Sequence, residues 1–186
     1  MRRSVIVMLF LTAAACGPGE QGEPGAAGPQ GERGPTGPMG EPGSAGLSLY
    51  EVVGTGQLAV TAATNFSLIP GLTFTVSLPA NAKVHVQTNG GLQCTAAGAA
   101  YSAVDIAVFV DGSITNAQRR VVAANTTTVG QIIANWSFGR TIPIPAGTHT
   151  IEVRAAGADP SMATANVSSS SSPQLQGVLT VTTVLE

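Results

Sequence analysis

Between positions 72 and 78, Leu72, Phe74, Val76 and Leu78 alternate with Thr73, Thr75 and Ser77. A period of two sends one face into a core and the other into water, so this run predicts a β-strand. Pro79 ends it. The same alternation predicts strands over 83–88, 105–110, 131–138, 149–154 and 175–184, with weaker ones near 58–60 and 119–123. Asn89-Gly90-Gly91, Asp111-Gly112 and Pro145-Ala146-Gly147 supply the expected turns between them. No stretch keeps a helical period with caps. Eight or nine strands over residues 47–186 predict an all-β head, built as a jelly roll or β-sandwich.

The first 46 residues follow other rules. Arg2 and Arg3 precede an apolar run over 5–11, and Thr12-Ala13-Ala14-Ala15 follow. That charge, core and small-residue layout predicts a secretory signal peptide at 1–15, with a run too short to span a bilayer. Glycine then recurs at Gly19, Gly22, Gly25, Gly28, Gly31, Gly34, Gly37, Gly40, Gly43 and Gly46, giving nine unbroken Gly-x-y triplets. Three polyproline-like chains pack round one axis only if every third residue lacks a side chain, so the spacing is a steric signature of the collagen triple helix. A flexible Gly/Pro linker needs the composition but not the period. Residues 19–46 are therefore expected to form a triple-helical stalk about 80 Å long, which makes the protein a homotrimer. Proline fills five of the 18 x and y positions (Pro24, Pro29, Pro35, Pro38 and Pro42), so the stalk is expected to be weak alone and aligned by the head.

Ala13-Ala14-Ala15-Cys16 resembles the lipobox of bacterial lipoproteins, although Ala13 stands where that family most often has Leu. The resemblance implies acylation of Cys16, a lipidated N-terminus at 16–18 and attachment to a membrane through that lipid. The same alanines satisfy the A-x-A rule of an ordinary signal peptidase, which would leave Cys16 a free thiol. Gly17 is similar to the outer-membrane sorting preference of such lipoproteins, which implies a cell-envelope protein of the outer membrane facing outward. The repeat resembles collagen-like bacterial surface proteins. With the β head behind it, the chain also resembles the trimeric jelly rolls of the tumour necrosis factor and complement-head kind. In that likeness the run from Ile144 through Pro145-Ala146-Gly147 to Val153 is a hairpin and the run from Leu175 to Val181 a closing strand. The implied function is adhesion or interaction at the cell surface, with a surface glycan or protein as the ligand of the head.

Composition narrows the alternatives. Apolar residues make up 44% of the chain and charged ones 10%, with a net charge of −2, so capture of nucleic acid is excluded. The 140-residue head has 11 charged side chains, and charge depletion on strands suits burial between subunits. It offers two His, one Cys and six acids for chemistry. His149 shares the face of Ile151 and Val153 and is expected to be a core histidine bonded to a carbonyl or hydroxyl. His85 is expected on an exposed face and Cys94 as a buried small hydrophobe. Asp105 and Asp111 are expected at opposite ends of a strand, about 20 Å apart, too far to share a metal. Ser168 to Ser172 are expected in a solvated loop, and the glycosylation-like patterns at Asn65, Asn125, Asn135 and Asn166 are taken as chance. No catalytic residue, metal or cofactor is expected, and no enzyme. The second reading is a carbohydrate-binding or hydrolytic β-sandwich on a spacer, with Trp136, Tyr50 or Tyr101 stacking on sugar.

Overall fold

The computed structural model describes residues 19, 22–26, 28, 47–62 and 65–185. The chain divides into two units, Met1–Gly40 and Glu41–Glu186. In the first, the described residues are exposed and belong to no helix or strand. The second is all β, with no helix among its described residues. Its ten strands are β1 (Ser48–Val53), β2 (Leu58–Val60), β3 (Ser67–Leu78), β4 (Ala82–Cys94), β5 (Ala100–Val110), β6 (Ser113–Asn125), β7 (Ile133–Ile144), β8 (Gly147–Gly157), β9 (Ala165–Val167) and β10 (Val178–Leu185).

Two antiparallel sheets face each other. The six-stranded one runs β1-β10-β4-β9-β2, with β7 on the far side of β4, and the four-stranded one runs β3-β8-β5-β6. Pairing is nested: β5 with β6, β4 with β7, β3 with β8, and β1 with β10. Each strand sends alternate side chains inward. From β4 these are Val84, Val86 and Leu92, from β8 Ile151 and Val153, and from β10 Leu179 and Val181, all almost without exposure. Burial of each is worth about 1.5–3 kcal/mol, so the interleaved faces hold the sandwich together. β5 differs because it is buried on both sides, with Val104, Ile106 and Val108 inward and Ala107 and Phe109 outward.

Several expected boundaries move. Asn89-Gly90-Gly91 is not a turn but the interior of β4. Gly90 lies opposite Trp136 in the register, and a Cβ there would collide with the indole ring, while one at Gly91 would meet the Gln174 carbonyl at 2.6 Å. Glycine is needed here for close approach rather than for turning. Likewise the run from Ile144 to Val153 is not a hairpin. β7 pairs with β4 and β8 with β3 and β5, so Pro145-Ala146 carries the chain from one sheet to the other. The closing strand begins at Val178, three residues later than the alternation suggested. β1 and β9, which had no period to announce them, complete the larger sheet.

Asp111-Gly112 does form the expected hairpin turn between β5 and β6. Both residues have positive φ, 50° and 76°, as a two-residue turn between twisted strands requires.

Candidate functional site

Cys16 and the signal-like residues 1–15 lie outside the described residues, as do Gly31, Gly34, Gly37, Gly40, Gly43 and Gly46. Gly19, Gly22, Gly25 and Gly28 are described and exposed, and a Cβ built on any of them meets nothing within 4 Å. Among the described residues, nothing within 4 Å demands glycine at these four positions.

In the head, His149 and Asp111 form the most elaborate polar cluster. Asp111 leaves the β5–β6 turn, and its Oδ1 accepts the Thr150 N–H at 2.8 Å while its Oδ2 lies 2.7 Å from His149 Nδ1. The other ring nitrogen lies 3.1 Å from the Pro145 carbonyl oxygen. Both ring nitrogens thus face oxygen acceptors. The hydrogen bond from His149, then the one from Thr150, holds the Asp111 carboxyl below its usual range. The cluster ties the hairpin tip and the Pro145 corner to β8. His149 is thus a bonded histidine at the rim of the core, near to what its place beside Ile151 suggested.

Asp105, Glu152 and Asp159 are each held by neighbouring groups. Asp105 sits in mid-strand, because β5 begins at Ala100 rather than at the aspartate, and it accepts both arms of the Arg120 guanidinium at 2.9 Å. That pairing raises Arg120 above the usual arginine range. Asp159 accepts the Ser161 amide and hydroxyl, each at 2.8 Å, which lowers its carboxyl, and the Tyr101 hydroxyl adds to the effect. On the outer face of the smaller sheet, Glu152 holds Arg154 at 2.6 Å, and the guanidinium covers the Phe109 ring at 4.7 Å. Phe66 closes over the same ring at 5.3 Å. This explains why Phe109 and Ala107 are buried on a face that should be wet.

Other expectations fare unevenly. Cys94 is fully buried and free. His85 is exposed, its Nδ1 3.1 Å from Thr141 Oγ1. The serine run is not a solvated loop throughout, because Ser168 and Ser169 are buried. The Ser168 N–H donates to the Gly91 carbonyl and its Oγ accepts the Gly177 N–H, stapling the place where β10 and β9 share one edge of β4. The Asn125 amide is consumed inside: it donates to the Cys94 and Ala96 carbonyls and accepts the Ile132 N–H.

Trp136 is the main correction to the sugar-binding reading. It is 2% exposed, and its Nε1–H donates to Thr88 Oγ1, which in turn donates to the Val178 carbonyl. A ring locked over Gly90 in the core offers no surface to a sugar. Tyr50 is stacked on Phe74 at 4.8 Å and Tyr101 is bonded to Asp159, although both remain partly exposed.

Sequence reasoning passed over an apolar group at the start of β1. Leu47, Leu49 and Val184 are exposed at 70%, 67% and 48%. Ser48 pairs with Thr183 and Leu49 with Thr182, which puts Leu49 and Val184 on the outer face of the larger sheet. The signal was there in the apolar residues directly after Gly46, but without knowledge of β10 nothing linked them to Val184. Among the described residues, no group of three His, Cys, Asp or Glu side chains could hold a metal, and no helix is long and apolar enough to cross a membrane.

No protein-family model matches the chain, and no curated protein matches it. Among solved structures the chain is similar to that of the infectious bursal disease virus Gx strain, at 11% identity and a TM-score of 0.41, over 76% of this chain and 33% of the other. It is also similar to the infectious bursal disease virus VP2 subviral particle, at 14% identity and a TM-score of 0.39, again over 76% and 33%. The chain spans about a third of the length of these solved chains.

Proposed function

We propose that this chain is a lipid-anchored, homotrimeric, collagen-like surface protein that displays a jelly-roll head for adhesion or interaction. The observation that carries the reading is the unbroken glycine period from Gly19 to Gly46. A strict period of three in glycine is what three chains packed round one axis require, and a triple helix supplies it.

The head supports the same reading. Nested antiparallel pairing, with β5–β6 innermost and β1–β10 outermost, is the order of one long ribbon rolled into a double sheet, as in a jelly roll. Two carboxylate–guanidinium pairs, Asp105–Arg120 and Glu152–Arg154, keep four of its few charges engaged with each other. The lipobox-like Ala13-Ala14-Ala15-Cys16 supplies the anchor, in the outer membrane facing outward. Three heads on one stalk multiply weak single-site contacts with a surface glycan or protein by avidity.

The test uses Cys16→Ser. The wild-type protein should fractionate with membranes and the variant should be soluble, because the lipid is the anchor. In light scattering the soluble variant should show three times the chain mass, together with a collagen-type circular-dichroism band. A single-chain mass without that band would overturn the trimer, and unchanged fractionation would overturn the lipid anchor.

A further inference from the structure

We propose that the three heads meet around the start of β1, where the apolar knob of Leu47, Leu49 and Val184 on one head seats in a depression beside β1 of the next. The inference rests on the trimeric reading above and names the surface that the trimer buries.

The chain's own connectivity identifies the occupant. Gly46 is the last glycine of the repeat and stands two residues before Ser48, the first residue of β1. In a triple helix each such glycine lies at the axis, and two residues reach at most about 7 Å. On the trimeric reading, Ser48 of every chain would then fall within about 10 Å of the three-fold axis. The two sheets of one head are themselves about 10 Å apart. Three heads brought so close cannot avoid covering the surfaces that flank Ser48.

One of those surfaces is apolar and uncovered, and the other is a depression of mixed lining. On the outer face stand Leu47, Leu49 and Val184, the most exposed apolar group of the larger sheet. The pairing register adds few charges to this face: Glu51 opposite Thr180, and Lys83 opposite Val184. On the other side of β1, between it and the end of β3, lies a depression of about 180 Å³ lined by Tyr50, Leu78, Pro79 and Leu185 together with the hydroxyl side chains of Ser77 and Thr183, among others. Knob and depression thus sit on opposite sides of one short edge strand. A pair of unlike surfaces repeated by rotation makes a heterologous interface, and a three-fold rotation closes it into a ring with none left open. It also covers the free edge of β1, which would otherwise invite strand pairing.

The experiment uses the full chain carrying Cys16→Ser. Leu47→Glu/Leu49→Glu should lower the mass threefold to that of one chain and abolish the collagen band. The melting temperature of the head should stay within a few degrees, since both side chains are solvent-exposed in the single head. Val122→Glu, at a position 51% exposed on the smaller sheet, should leave the trimer intact. In a separate chain, Leu49→Cys/Pro79→Cys should give interchain disulfides that run as a covalent trimer on a non-reducing gel. A Leu47→Glu/Leu49→Glu chain that stays trimeric, or a trimeric cysteine pair that fails to cross-link, overturns this interface and leaves the trimer standing. A parent chain that is monomeric overturns the reading beneath it.

Discussion

Trp136 and Gly90 face each other on neighbouring strands, and each accounts for the other. The indole fills the place where a Cβ would be, and its N–H is satisfied by Thr88, so a large aromatic with a polar handle lies in the core without an unpaired donor. Gly90→Ala should therefore destabilise the head by about 1–3 kcal/mol through overpacking, measured by urea unfolding of the Cys16→Ser chain. At the rim, Asp111 makes a different prediction. Its carboxyl titrates below the ordinary value of 3.8 in the folded head and at that value when unfolded. A depressed folded pKa gives stability that is fully present above pH 3.8 and is lost as pH falls through the folded value. Asp111→Asn removes the titrating group, so its melting temperature should fall less steeply than the wild type's below about pH 4. Parallel acid limbs for the two proteins would show that the His149 and Thr150 bonds contribute nothing to pH dependence.

Most strands that period two announced have one wet face, although β5, found by the same alternation, is buried on both. β3, β4 and β8 keep a polar face outward along most of their length, and the alternation at 72–78, 83–88 and 149–154 found them. β1 was missed because it is an edge strand exposed on much of both faces, and β9 because three residues carry no period. The head and the repeat also fail in different ways. Ile151 is fully buried on the inner face of β8, so Ile151→Asp places an unpaired carboxylate in the core and should unfold the head. On the proposed triple helix, Gly31→Ala, in the middle of the repeat, would add three methyl groups at the axis. It should remove the collagen band while the head stays folded and trimeric. Circular dichroism at both wavelengths separates the two: loss of the collagen band alone belongs to Gly31→Ala, and loss of both signals to Ile151→Asp.

At the scale of the whole molecule, the proposal orders assembly. Nine triplets with five prolines cannot offset the association entropy of aligning three chains, so the heads must gather first and hand the stalk a register. Residues 47–186, which carry Leu47, Leu49 and Val184, should then trimerise without the repeat, and light scattering should give three times the fragment mass. A peptide of residues 17–46 should show no cooperative triple-helix melt near physiological temperature. A sharp melt of that peptide would reverse the order and make the stalk the nucleus.

Local pattern alone determined much of this protein: the all-β class, most of the strands, the Asp111-Gly112 hairpin, the buried Cys94 and the glycine period. Each depends on side chains close in sequence, whose spacing of two or three is set by backbone geometry. Tertiary structure decided what depends on partners far along the chain. Gly90 became strand rather than turn because Trp136 lies over it. Trp136 itself became core rather than platform because Thr88 Oγ1 accepts its indole N–H. Ser168 went inside because Gly91 needed a partner for its carbonyl. The sheet change at Pro145-Ala146 has the same origin, since β4 and β3 are the strands that β7 and β8 pair with, each 40 or more residues away. Such choices are settled by which distant surfaces must be covered, and no periodicity of neighbouring residues carries that information.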